Sequence, residues 1–184
     1  MALITPGNPI GERFIELDRI HSTNDLAQEQ ISEGSARHGD VIFAREQFAG
    51  RGQHGKSWLS EPGQNLAMTI VLENAQLPDT IPFHISAWIA ISSIEVLTKI
   101  TAGDTSIKWP NDLYWKRRKL GGMLLEAGKK WTVAGIGINI NQTQFEESLI
   151  NPVSLRQITG KSVDPKTIAQ ALIEALNHRL SQWK

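Results

Sequence analysis

The apolar positions of this chain change period several times, and each change predicts an element. RFIEL (13–17) alternates apolar and polar side chains, the period of a half-buried strand. Ser22 and Asp25 then stand in the Ser-x-x-Asp form of a helix N-terminal box, and Leu26, Ala27, Gln30 and Ile31 follow at helical spacing until Gly34. DVIFARE (40–46) predicts a second strand from its Val, Ile and Phe content, and NLAMTIVLE (65–73) reads as a buried strand. Residues 81–100 are apolar over a length that fits a buried helix packed on a sheet. SIKW (106–109) predicts a short strand stopped by Pro110, and KLGGMLLEA (119–127) with WTVAGIGINI (131–140) predicts a hairpin turning at residues 128–130.

Farther on, Asp164 and Pro165 form a cap followed by proline at the first helical position. Ile168, Leu172, Leu176 and Leu180 recur every four residues, and Trp183 closes that apolar face. The pattern is still running at residue 184 with no glycine or proline stop, so a truncated chain is expected. Strands that cluster around one long helix, with a hairpin among them, favour an α+β fold over a doubly wound parallel one. The expected architecture is a mixed, largely antiparallel central sheet flanked by helices.

Composition narrows the class. A length of 184 residues suits a single domain, and 19 basic against 19 acidic side chains give no global pull toward nucleic acid or an anionic membrane. Anion binding has to come from local clusters. The chain has no cysteine, which excludes disulfides, thiolate zinc sites and a cysteine nucleophile, and fits the reducing cytoplasm expected as its location. MALITPGNPIGERF lacks the basic start and long apolar run of a signal peptide, and the uncharged run at 81–94 is too short to span a bilayer; a soluble protein is expected. The five histidines show no metal-ligand spacing, so no metal site is expected, and Ser22 lacks the G-x-S-x-G setting of a hydrolase nucleophile.

Four segments remain as candidate chemistry. GRGQHGKSW (50–58) concentrates glycine and positive charge: backbone N–H groups in such a turn can converge on an anion, Arg51 adds a fork and Lys56 a point charge, and Trp58 could stack on a purine. A solvated hairpin loop would have the same composition. KWPNDLYW (108–115) sends Asn111 and Asp112 out in a turn beside Lys108, which is also ordinary turn chemistry. RRKLGG (117–122) opens a strand with two glycines, a sign of close approach to the backbone. In GIGININ (135–141), Gly135 and Gly137 leave one strand face bare for a flat ligand or for close sheet packing, and Asn139 continues that face.

Together these segments resemble the catalytic domain of biotin protein ligases. The resemblance is carried by STN (22–24), Gln47 followed by AGRG (49–52), Trp58, KWPND (108–112), RKLGG (118–122) and GIGININ (135–141), in that order. It spans the chain from about residue 13 to its end and implies one catalytic domain over residues 1–184, with the sheet-and-helix fold shared with class II aminoacyl-tRNA synthetases. Lipoate ligases share the fold but would be expected to show an R-R-x-S/G-G-G type of motif, which is absent. A lipoyl or octanoyl ligase or transferase, and a module that only binds biotin or an adenylate, are the competing readings.

The resemblance implies an ATP-dependent ligase that joins biotin to AMP and passes it to a lysine of a biotin carboxyl carrier protein, such as an acetyl-CoA carboxylase subunit. Magnesium would arrive with ATP. It places Ser22, Thr23, Asn24 and Gln47 at the biotin head, and Gly50, Arg51 and Gly52 along biotin and the adenylate phosphate. Lys119 would reach the carboxylate and phosphate oxygens, with Gly122 and Gly135 admitting the ligand. Gln53, Lys56, Trp58, Asn111 and Asn139 would serve ATP and the adenylate, Trp58 by stacking on adenine and Asn139 by a hydrogen bond to it. Asp112 would orient or deprotonate the incoming amine, with Lys108 beside it; Arg51, Lys108, Asp112 and Lys119 are thus the catalytic set.

Three departures accompany the resemblance. Gln53 stands where the family often has a second arginine after G-R-G, which predicts a weaker hold on the adenylate. No winged helix is expected ahead of residue 13, and so no DNA binding, and the small β-barrel that usually follows the catalytic domain is expected to be absent. Some family members dimerise through the catalytic sheet, so a homodimer is an open expectation.

Overall fold

The computed structural model describes residues 9–183; the expectation that the N-terminus carries no leader falls largely on residues 1–8, outside the described residues. Seven strands form one sheet: β1 Phe14–Ile20, β2 Val41–Gln47, β3 Asn65–Glu73, β4 Thr105–Lys108, β5 Asp112–Trp115, β6 Arg118–Ala127 and β7 Trp131–Asn139. Their order across the sheet is β1-β2-β3-β7-β6-β5-β4. Only β1 and β2 run parallel, because helix α1, Thr23–Ser32, crosses between them; every other pair is antiparallel. The mixed, largely antiparallel sheet is therefore the one expected.

Strand alternation sorts side chains to two layers. Phe43, Leu66, Met68, Ile70, Ile136 and Ile138 face helices α2 (Pro82–Thr101) and α4 (Pro165–Gln182) and form the larger core with Ile85, Ile89, Leu97, Ile168, Leu172 and Leu176. Asp164 caps α4 by accepting from Lys166 N (3.1 Å), with Pro165 in the first turn, and Trp183 packs on Trp88 at 5.7 Å between ring centroids. By length and mean hydropathy alone (1.2), α2 could cross a membrane. It is seated instead on the sheet through Ile85, Ile89 and Leu97, and its half-buried Glu95 pairs with Lys99 and Arg179.

The opposite sheet face is only half covered. There α1 packs Ala27 on Ile42, Val71 and Val133, a second and smaller core. Beyond the N-terminal end of α1, that face carries the row Thr69–Gly135–Leu124 and then Ala67–Gly137–Gly122, so the sheet presents a bare floor.

Three expectations are corrected. The strand placed at 106–109 is Thr105–Lys108, and Trp109 lies outside it. Asp112 is not in the turn with Asn111 but opens β5, which the sequence reading left out: DLYW is only four residues long and starts two positions after Pro110. A short helix α3, Leu155–Thr159, closed by a Ser154–Gln157 capping box, was also left out.

Candidate functional site

The bare floor is walled by α1, the 50–58 loop and the β5–β6 corner. Ser22 is the N-cap of α1, its Oγ accepting from Asp25 N at 3.3 Å, as the Ser-x-x-Asp spacing predicts. The Asp25 carboxylate does not complete a reciprocal box but turns to Arg51, 2.6 Å away. Gln47, at the end of β2, accepts from both Thr23 N (2.7 Å) and Thr23 Oγ1 (2.9 Å), so the helix start is pinned to the sheet. Asn24 is buried and fixed at both ends of its amide: Oδ1 accepts from Thr69 Oγ1 (2.6 Å) and Nδ2 donates to Glu126 Oε2 (2.7 Å).

Gly135 exists for this network. A Cβ there would fall 2.4 Å from Asn24 Oδ1. Gly137 makes room in the same way for Trp58, whose ring would lie 2.5 Å from an added Cβ. The indole expected to await adenine thus lies over the floor, and its Nε1 is buried without a hydrogen-bond partner.

The loop itself folds back as a small hairpin. Arg51 bridges Ser57, Trp58 N donates to Gly50 O (2.8 Å), and His54 and Gly55 turn the tip at φ 56° and 74°. Gly50 is required by closeness: a Cβ would meet Trp58 O at 2.6 Å. Arg51 forks onto Glu126 with both terminal nitrogens at 3.0 Å, Nη1 to Oε1 and Nη2 to Oε2. Burial works against its charge, yet the hydrogen bonds to Glu126 and the charges of Glu126 and Asp25 outweigh that and raise the guanidinium pKa above its ordinary value.

Across the floor, Lys119 Nζ lies 2.7 Å from Asp112 Oδ1. Gly122 sits beside this pair: a Cβ there would be 3.3 Å from Asp112 Oδ1, a tight contact, and 3.6 Å from Lys119 Nζ, so the missing side chain leaves both charges uncrowded. Asn111 splints β5 to β6, donating from Nδ2 to Met123 O (3.1 Å) while its carbonyl accepts from Met123 N (2.9 Å).

Most of the residues singled out from the sequence therefore line one cavity. Ser22, Thr23, Asn24 and Gln47 face it from α1 and β2; Arg51, Gly52, Gln53 and Trp58 from the loop; Asn111, Asp112, Lys119, Gly122 and Gly135 from the far side. Gly50 stands behind the wall, in the turn of the loop.

Three others are not brought in. Lys56 points outward from the loop, and Lys108 lies along Tyr114, 5.1 Å from its ring. Asn139 is buried and spends its amide on Val153 O (3.1 Å), which ties β7 to the segment ahead of α3. The sequence reading missed Thr69, Asp25 and Glu126 as site residues, along with Leu124 on the same sheet face. One signal was present: Thr69 is the lone hydroxyl in the apolar run of β3, and Glu126 shares strand parity with Gly122.

A half-covered mixed sheet with a glycine floor, a polar helix start on one side and a lysine–carboxylate pair on the other frames one small cavity. Residues 16–142 match the model of the biotin/lipoate A/B protein ligase family, and the chain belongs to that family. It is 38% identical over 172 residues to the bifunctional ligase/repressor BirA of Escherichia coli, covering 90% of this chain and 52% of that protein. It is 28% identical over 170 residues to the biotin–[acetyl-CoA-carboxylase] ligase of Mycobacterium tuberculosis, covering 89% of this chain and 62% of that one. Among solved structures, the Aquifex aeolicus biotin protein ligase in complex with biotin and ATP superposes with a TM-score of 0.81 at 31% identity, over 94% of this chain and 72% of that chain. The chain thus spans between about half and three-fifths of these two curated relatives.

Proposed function

We propose that the chain carries the activating site of an ATP-dependent biotin ligase, which makes biotinyl-5′-AMP and transfers the biotinyl group to a lysine of a biotin carboxyl carrier protein. The observation that supports it most is the placement of Lys119 and Asp112 beside Gly122, opposite Arg51 and the Ser22–Thr23–Gln47 wall, around one cavity. The biotin and ATP of the Aquifex aeolicus complex and the carboxylase in the name of the Mycobacterium tuberculosis relative point the same way.

In the first step a biotin carboxylate oxygen attacks the α-phosphorus of ATP. A P–O bond forms, the α–β anhydride bond breaks, and pyrophosphate leaves with the bonding electrons. Lys119 would hold the reacting carboxylate and phosphate oxygens, and Arg51 would offset the phosphate charge. In the second step a carrier lysine amine attacks the acyl carbon; a C–N bond forms, the C–O bond to phosphate breaks, and AMP departs. Asp112 would take the amine proton, within reach through the space beside Gly122. Ser22, Thr23 and Gln47 would serve the biotin head. Magnesium would arrive with the ATP substrate, held mainly by its phosphates and water.

Incubation with biotin, α-labelled ATP and a carrier domain tests the proposal. Biotin-dependent formation of labelled adenylate, discharged when the carrier is added, is expected. Adenylation of lipoate or octanoate without biotin would overturn it.

A further inference from the structure

One row of the sheet runs from the glycine floor to the sheet's edge. Gly137 pairs with Gly122, Gly122 with Asp112, and Asp112 with Lys108, on four successive strands. Directly paired residues share a sheet face with their Cβ atoms about 5 Å apart, so Lys108 stands next to Asp112 on the face that carries the floor. β4 is the outermost strand on this side, and Lys108 is exposed there.

Charge at this corner is lopsided. Residues 104–119 hold five cations, Lys108, Lys116, Arg117, Arg118 and Lys119, against two carboxylates, Asp104 and Asp112. Asp112 is taken by Lys119 at 2.7 Å, and Asp104 by Lys116 at 3.8 Å. Arg118 donates to Pro152 O at 2.5 Å. The start of α2 packs here through Ser86 Oγ, which donates to Pro110 O at 3.4 Å, and its charged groups, His84 and Asp79, hold each other at 2.5 Å. Lys108 is in no ion pair among the described residues; its ammonium lies 5.1 Å from the centre of the Tyr114 ring and 3.4 Å from the Tyr114 hydroxyl.

Resting on the reading of the site as one that passes a biotinyl group to a carrier lysine, we propose that Lys108 tunes the incoming amine: its unpaired charge favours the neutral, nucleophilic form of the carrier lysine as it reaches Asp112. The carrier side chain arrives as an ammonium and must release one proton to water before it can attack. The neutral nitrogen then bonds to the acyl carbon, the C–O bond to the AMP phosphate breaks and AMP leaves with its electrons. The nitrogen's surplus proton passes to Asp112. A cation nearby raises the free energy of the ammonium and not that of the amine, so the amine's pKa falls below the ordinary 10.4 of lysine. The charge of Lys119 is offset by Asp112, whereas that of Lys108 is not. Across several ångströms of partly solvated surroundings, one such charge moves an amine by roughly 0.5–1 pH unit.

The test supplies chemically made biotinyl-5′-AMP and a carrier domain, and follows single-turnover transfer from about pH 6.5 to about pH 10. Lys108→Gln is expected to slow transfer about threefold to tenfold on the rising limb, and to reach the parent's plateau about 0.5–1 pH unit later. Lys108→Arg keeps the charge and should keep the parent's profile. Hydroxylamine, an amine already neutral over most of this range, should discharge the adenylate equally fast in all three proteins. An equal loss at every pH, a loss with hydroxylamine as large as with the carrier, or a Lys108→Arg profile that follows that of Lys108→Gln would overturn the inference. If the parent neither makes adenylate from biotin and ATP nor transfers the supplied one, the proposed function fails and this inference with it. Transfer by Lys108→Gln with an unshifted profile sinks this inference alone.

Discussion

Gly135 and Gly122 flank the same floor, yet alanine should act on them in opposite ways. At Gly135 the new methyl would lie 2.4 Å from Asn24 Oδ1, about 1 Å inside ordinary contact. Asn24 has nowhere to go: moving its amide gives up the Thr69 contact at 2.6 Å and the Glu126 contact at 2.7 Å, and the side chain is buried. Overpacking costs roughly 1–3 kcal/mol and each lost buried hydrogen bond about 1 kcal/mol, so a loss of about 3 kcal/mol is expected. For a domain of this size that lowers Tm by roughly 6–12 °C. At Gly122 the nearest atoms are 3.3 and 3.6 Å away, and both belong to side chains at the open cavity. Gly122→Ala should therefore melt within about 2 °C of the parent, while its methyl occupies the space where the reacting carboxylate would sit. Biotin-dependent adenylate formation should fall about tenfold or more. Thermal unfolding by circular dichroism and a single-turnover adenylation assay on both variants check this. The reasoning fails if Gly135→Ala melts like the parent, or if Gly122→Ala loses stability and keeps its adenylation rate.

Asp112→Asn should slow transfer to the carrier lysine about 100-fold more than adenylate formation, because only the second step needs a proton acceptor; equal losses in the two half-reactions would refute that role. Gln53→Arg, which adds a cation to the loop over the cavity, should slow release of biotinyl-5′-AMP about tenfold, and equal release rates would refute it. His38 is buried, and burial pushes its pKa below the ordinary 6.5 despite the nearby Glu73 carboxylate, while Glu73 N donates to its Nδ1 at 3.1 Å. The unfolded state therefore takes up a proton before the native state does. The stability His38 contributes is complete above pH 6.5 and declines as pH falls from there through its lowered native pKa. Urea unfolding at pH 7.5, 6.5 and 5.5 should show a decline that His38→Asn flattens; parallel curves for the two proteins would sink this assignment.

How much of the molecule the sequence disclosed depended on how local the cause was. The cap at Asp164, the proline after it and the four-residue repeat of α4 are set by neighbours in the chain, and they stand where expected. β5 was hidden because DLYW shares its signals with a turn: a proline two positions earlier and an Asn-Asp pair suit either, and only pairing with β4 and β6 makes it a strand. The site divides in the same way. Glycines alternating with isoleucines in β7 announce a bare face without any tertiary knowledge. The Arg51–Asp25–Glu126 cluster draws on the loop, the start of α1 and the far end of β6, residues up to 101 positions apart, and no spacing rule joins them. Asn139 misled because parity placed it on the bare face while the chain ahead of α3 returned to use its amide.

The same alternation that makes the core also makes the site. In β7, Ile136 and Ile138 are buried against α2 and α4 while Gly135 faces Asn24 and Gly137 faces Trp58, and β3 matches them with Met68 and Leu66 on one side and Thr69 and Ala67 on the other. A slip of one residue in the β3–β7 register would put isoleucine under Trp58 and glycine in the core, losing stability and the floor together. The large residues of one face therefore fix the register that keeps the other face empty. Selection for a packed core and selection for a ligand floor act on alternate positions of a single strand. The polar residues around that floor then have a rigid base to work from: Asn24 is set by Gly135, Trp58 by Gly137, and the Lys119–Asp112 pair by the β5–β6 pairing.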